Sequence, residues 1–82
     1  MKTLDHYTAD LIEYLLAVTT PDQMEQALRE LLTPAEFTEI TKRLQIFKML
    51  EAGVSQRKIA EELGVGIATV SRGARARKLD YE

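Results

Sequence analysis

QRKIAEELGVGIATVSR, Gln56 to Arg72, is the stretch whose reading decides the fold. Its apolar and glycine positions sit where two short helices crossing at a steep angle need them, and it reads as a helix-turn-helix. Ile59 and Leu63 fall four apart on the inner face of a first helix, with Ala60 small where the second helix must come close. Gly64 breaks that helix in the left-handed conformation that a C-cap demands and a side chain resists. Beyond the turn, Ile67 and Val70 restart a helical stripe, leaving Ala68, Thr69, Ser71 and Arg72 outward. Small and hydroxyl side chains with one arginine suit a helix that enters a major groove. The competing reading is an ordinary helical hairpin in which Arg72 is merely solvated.

The flanks extend this motif into an all-helical domain. Ser55 can cap the first motif helix, its oxygen accepting from amides two or three residues on. Upstream, Thr33-Pro34-Ala35-Glu36 is a threonine-to-glutamate capping box that opens the longest helix, with Phe37, Ile40, Leu44, Phe47 and Leu50 as its stripe and Gly53 as its end. Lys42 and Arg43 lie beside that stripe, so at least one emerges towards whatever the motif packs against. Thr20-Pro21-Asp22-Gln23 is a second start signal, a hydroxyl cap with proline at the first helical position and glutamine reaching back. The helix it opens presents Met24, Ala27, Leu28 and Leu31 inward and stops near Leu32, because Pro34 disfavours helical geometry before it.

A first helix over Leu4 to Val18 carries Leu4, Tyr7, Leu11, Tyr14, Leu15 and Val18, and Ile12 and Leu16 widen its stripe. So wide a stripe wants cover from two sides. A chain of 82 residues has a thin core of its own, and a homodimer held by the first two or three helices supplies that cover. The tyrosines read as amphipathic packing residues. The expectation is a single helical domain over 1–82, with core and dimerisation helices in 1–53 and the helix-turn-helix in 55–78.

Composition excludes much chemistry. Without cysteine there is no disulfide and no thiolate metal site. The single histidine, His6, has no ligand pattern around it and reads as a half-exposed helix residue. No paired acid and base, phosphate loop or metal cluster stands out, so an enzyme is not expected. No apolar run approaches the ~20 residues of a membrane span, and the N-terminus lacks a secretory layout, so the expected compartment is the cytoplasm. The net charge of −2 speaks against a polyanionic partner until its distribution is read. Asp5, Asp10, Glu13, Asp22, Glu25, Glu30, Glu36 and Glu39 precede residue 41, opposed only by Lys2 and Arg29. From residue 42 to 78 the sign reverses, with Lys42, Arg43, Lys48, Arg57, Lys58, Arg72, Arg75, Arg77 and Lys78 against Glu51, Glu61 and Glu62. Local field steers a polyanion, because charges beyond about 8 Å are screened at physiological salt. The run Gly73-Ala74-Arg75-Ala76-Arg77-Lys78 continues the second motif helix. Its cations read either as a phosphate clamp or as a solvated helix end that complements the dipole. A glycine inside that helix costs ~1 kcal/mol against alanine. Either the helix loosens at Gly73 or something approaches its backbone closely.

Leu32-Thr33-Pro34, Arg43, Ser55-Gln56-Arg57 and Gly66-Ile67-Ala68-Thr69-Val70-Ser71-Arg72-Gly73 together resemble the bacterial tryptophan repressor family, over roughly Leu31 to Lys78. The resemblance implies an all-helical, intertwined homodimer that binds double-stranded DNA as a repressor under the control of a small aromatic effector, L-tryptophan as corepressor. It implies base-edge positions at Ile67, Ala68, Thr69 and Ser71, and Gln56 and Arg57 at phosphate or bases. Arg75 and Lys78 join these as candidate phosphate contacts from the basic run. It further implies an indole slot between Arg43 and Arg72, with Thr33 near the ligand carboxylate and Gly73 allowing close approach. Guanidinium planes both stack on aromatic rings and pair with carboxylates. Three departures stand beside this likeness. The family's amine-binding serine is matched by Ala76, a leucine of the ligand wall by Glu30, and the chain stops at Glu82 without the family's final helix. A second functional class stays open, a helical protein-interaction module of a transposase or sigma-factor-like complex, supported by the acidic first half and the wide first-helix stripe.

Overall fold

The computed structural model describes residues 3–78, and within them the chain is built of five helices. Lys2 and the chain end at Glu82 lie outside the described residues. The helices are α1 (Leu4–Leu16), α2 (Pro21–Leu31), α3 (Pro34–Glu51), α4 (Gln56–Leu63) and α5 (Ile67–Ala76). The chain divides into two compact units, Met1–Phe37 and Thr38–Glu82. The sequence placed its division at the turn after α3. The units part inside that helix instead, because its second half packs with α4 and α5.

Local chemistry sets the helix starts in the first unit. The Thr3 amide donates to His6 Nδ1 at 3.3 Å, which gives the one histidine a capping use at the head of α1. Thr20 Oγ1 accepts from the Gln23 amide at 3.1 Å, and Pro21 fills the first position of α2. The Gln23 side chain does not complete the expected reciprocal bond, since its Oε1 instead accepts from Thr19 Oγ1 at 3.4 Å. Thr33 and Glu36 form the full box, the Glu36 amide donating to Thr33 Oγ1 at 3.1 Å and the Thr33 amide to Glu36 Oε1 at 2.8 Å. Ala27 is buried in α2, with Met24 and Leu28 half-buried beside it, but Leu31 is exposed. Arg29 lies over the Phe37 ring, 4.1 Å from its centroid, and pairs with Glu25 at 2.8 Å. Helix α1 ends at Leu16 rather than Val18 and has no buried residue. Leu4, Tyr7, Leu11, Ile12, Tyr14 and Leu16 all stay exposed on it.

In the second unit the core is Ile46, Ile59 and Val70, one residue from each helix, at 2%, 0% and 0% exposure. Phe47, Met49, Leu50, Val54, Ala60, Leu63 and Val65 pack around them. Ile46 was not in the stripe read from α3, and Leu44, which was, is 54% exposed. Two turns of the same kind hold the three helices at their crossings. At Gly53 (φ +87°) the Val54 amide donates to Met49 O, and at Gly64 (φ +66°) the Val65 amide donates to Ala60 O. Each is a left-handed glycine closed by a bond back across the last helical turn, and each throws a valine onto the core.

Candidate nucleic-acid interface

The two motif helices are positioned from both ends. Ser55 Oγ accepts from the Lys58 amide at 3.2 Å and fixes the start of α4, and Gly64 fixes its end. Gly66 precedes α5 with no side chain to cap it, so no side-chain bond closes the first-turn amides of that helix. On the inner face of α5, Val70, Gly73 and Ala74 are buried. A Cβ added to Gly73 would stand 2.8 Å from Ile46 Cγ2 and 3.7 Å from Phe47 Cε1, so the group that comes close to this backbone is the side chain of Ile46. The helix holds its form through Gly73 and ends at Ala76, with Arg77 and Lys78 in the turn beyond.

The outer face of α5 carries Ile67, Ala68, Arg72 and Arg75, all exposed, and Lys78 is exposed in the turn that follows. Ile67, expected on the inner stripe, is 52% exposed. It stands at the first helical position, ahead of the turn in which Val70 and Ala74 define the buried face. Thr69 and Ser71 are half-buried at the edges of that face. Ser71 Oγ donates to Gln56 Oε1 at 2.7 Å, a cross-link between the first residue of α4 and the middle of α5. That bond uses the carbonyl end of the Gln56 amide and leaves its NH2 group as the remaining donor. Arg72 Nη2 donates to Thr69 Oγ1 at 3.3 Å. Arg57 is exposed on the first turn of α4, while Lys58 is near Glu62 at 3.9 Å.

Of the residues that the resemblance grouped around an effector, Arg43, Arg72 and Gly73 lie together. They line a concavity of about 290 Å³ with Ile46, Phe47, Thr69 and Ala76. A second concavity of about 280 Å³ shares Arg43, Ile46, Thr69 and Arg72 and adds Thr38, Glu39, Lys42 and Val65. Thr33 belongs to the first unit, where its hydroxyl is the cap of α3. Glu30 is also there and accepts from Gln26 Nε2 at 3.2 Å. Sequence reasoning missed the Ser71 to Gln56 bond and the pairing of Arg77 with Glu51, because both join residues far apart in the chain. No grouping of His, Cys, Asp or Glu suited to a metal ion occurs among the described residues. Nor is any helix among them long and apolar enough to cross a membrane.

Two crossed helices on a shared core, with an acid-free outer helix rimmed by arginines, define a helix-turn-helix protein. The chain belongs to the Trp repressor protein family, whose description matches residues 7–81. That is a family of repressors, regulators rather than enzymes. Among its relatives, a Trp operon repressor homolog of Vibrio parahaemolyticus is 38% identical over 73 residues, covering 88% of this chain and 71% of the relative. One of Vibrio campbellii is 38% identical over 65 residues, covering 78% and 65%. One of Xylella fastidiosa is 35% identical over 65 residues, covering 78% and 71%.

Proposed function

We propose that this protein is a sequence-specific DNA-binding transcriptional repressor that works as a homodimer and responds to a small aromatic acid. The observation that carries the reading is the outer face of α5. It has no acidic residue, its inner face is fixed by Val70, Gly73 and Ala74, it carries Arg72 and Arg75, and Arg57 on α4 and Lys78 beyond α5 are exposed. In this reading α5 lies in the major groove with Ile67, Ala68, Thr69 and Ser71 towards base edges. Gln56, Arg57, Arg75 and Lys78 supply phosphate contacts, which fix register without reading sequence. The exposed apolar face of α1 supports the dimer, since six large hydrophobic side chains left in water are better covered by a second copy. Two reading heads then meet half-sites about 34 Å apart, or a multiple of one turn.

The concavity between Arg43 and Arg72 fits the effector in part. Two guanidinium groups above apolar walls suit a planar ring bearing a carboxylate. Ala76 offers no acceptor to an ammonium group there. Thr69 Oγ1, the hydroxyl on that wall, accepts from Arg72, whose charge opposes a second cation beside it. The residues therefore hold an aromatic acid, and tryptophan binds without a dedicated amine contact.

Gel shifts with fragments of the source genome, run over a range of salt and with and without amino acids, test the function. A repressor selects a few fragments that survive raised salt. Weak, salt-sensitive and sequence-blind binding would instead support the protein-interaction module.

A further inference from the structure

Arg75, Arg77 and Lys78 read in sequence as one basic run, and the structure separates them. Arg77 turns away from the end of α5 towards the end of α3, where its Nη2 donates to Glu51 Oε2. Its guanidinium stands over the Phe47 ring, 5.0 Å from the centroid. Unlike the Glu25 to Arg29 and Lys58 to Glu62 pairs, which lie four apart on one helix, this pair ties two elements together across 26 residues of chain. Arg77 is also the C-cap of α5, its amide donating to Gly73 O at 3.1 Å.

We propose that Glu51 and Phe47 form a latch that pins the last turn of α5 and withholds the Arg77 charge from nucleic-acid phosphate. An exposed ion pair alone is weak. Here the same guanidinium also stacks on an aromatic face, and a phosphate must displace it from both partners at once. The ring cannot yield easily, because Phe47 packs against the core beside Gly73. Phosphate contact at this end of α5 thus falls to Arg75 and Lys78. The latch sets where the helix end points, and Glu51 tempers the total charge presented to the backbone.

The withholding half rests on the DNA-binding reading, whereas the latch itself can be read without DNA. In the free full-length protein, proton NMR of the Arg77 δ-methylene reports its position over the Phe47 ring. Glu51→Gln, which keeps the side-chain shape, should move that signal towards the random-coil value. An unmoved signal overturns the latch. With DNA, the slope of log affinity against log salt is compared across variants. Each phosphate neutralised adds ~0.9 to that slope. Arg77→Met, which keeps the aliphatic stem on the ring, should leave the slope at its wild-type value, and Glu51→Gln should steepen it by ~0.9 per bound head as Arg77 is released. A slope flattened by ~0.9 per bound head in Arg77→Met, or unchanged in Glu51→Gln, overturns the withholding. If the wild type binds no DNA at all, the function fails while the NMR result still decides the latch.

Discussion

Gly73→Ala is the substitution in which two opposing effects are best separated. A glycine inside a helix is worth ~1 kcal/mol less than alanine, so propensity alone makes this change stabilising. The structure predicts the reverse. The new methyl would stand 2.8 Å from Ile46 Cγ2, inside any normal carbon contact. Ile46 is 2% exposed, and its Cγ2 is on a β-branched side chain held at one rotamer in a helix, so the neighbour cannot swing aside. Overpacking a tight core costs ~1–3 kcal/mol, and a stiff neighbour places this case in the upper half of that range. Subtracting the helix gain leaves a net loss of about 1–2 kcal/mol. Urea unfolding at a fixed protein concentration measures it. The double variant Gly73→Ala with Ile46→Leu, which moves the branch away from Cβ, should lose less than the sum of the two single changes. A Gly73→Ala protein more stable than wild type by ~1 kcal/mol would refute the close approach, because only the propensity effect would then remain.

Ile59→Ala empties the centre of the three-helix core, where Ile59 is 0% exposed, and should cost about 2–5 kcal/mol in the same unfolding assay. Thr33→Ala removes the hydroxyl half of the α3 capping box and should cost ~1 kcal/mol, a loss that Thr33→Ser restores. Leu11→Lys with Ile12→Lys places two charges on the exposed face of α1 and should halve the mass seen by light scattering at micromolar concentration; a wild type already monomeric there would sink the dimer. Arg75→Ala with Lys78→Ala should flatten the salt slope of DNA binding by ~1.8 per bound head without altering the preferred sequence. Losing a hydrogen bond to a charged group weakens binding by ~10- to 100-fold, so with no amine contact at Ala76 tryptophan should gain nothing over indole-3-propionate in calorimetry. Micromolar tryptophan binding far above that of the amine-free analogue would contradict this account of Ala76.

What could be read from the sequence was local chemistry. Thr20, Thr33 and Ser55 cap, and Gly53 and Gly64 turn, because each acts on amides or dihedrals within a few residues of itself. The choice of buried face was less legible. Helix α3 carries apolar residues around much of its girth, so a periodic stripe through Leu44 was as consistent as one through Ile46, and only the approach of Gly73 decides between them. At Ile67 the stripe was started three residues ahead of Val70, where the buried face begins. The family likeness grouped Arg43, Arg72 and Gly73 with Thr33; the first three line one concavity, and Thr33 caps α3. Arg77 was grouped with its chain neighbours for want of any local sign that Glu51 lies beside it.

The core of the second unit has a kinetic consequence. Ile46, Ile59 and Val70 meet across two short turns, so the core contacts between successive helices close small loops of chain. Loop-closure entropy is then low, and helical units of such low contact order fold in microseconds to milliseconds. In the proposed dimer this unit can thus assemble before two chains meet, since subunit encounter is bimolecular and slows with dilution. A freshly made chain at low abundance would carry a finished head on an unpaired first helix. Under the proposed function, its DNA affinity would then rise with the number of copies the cell holds.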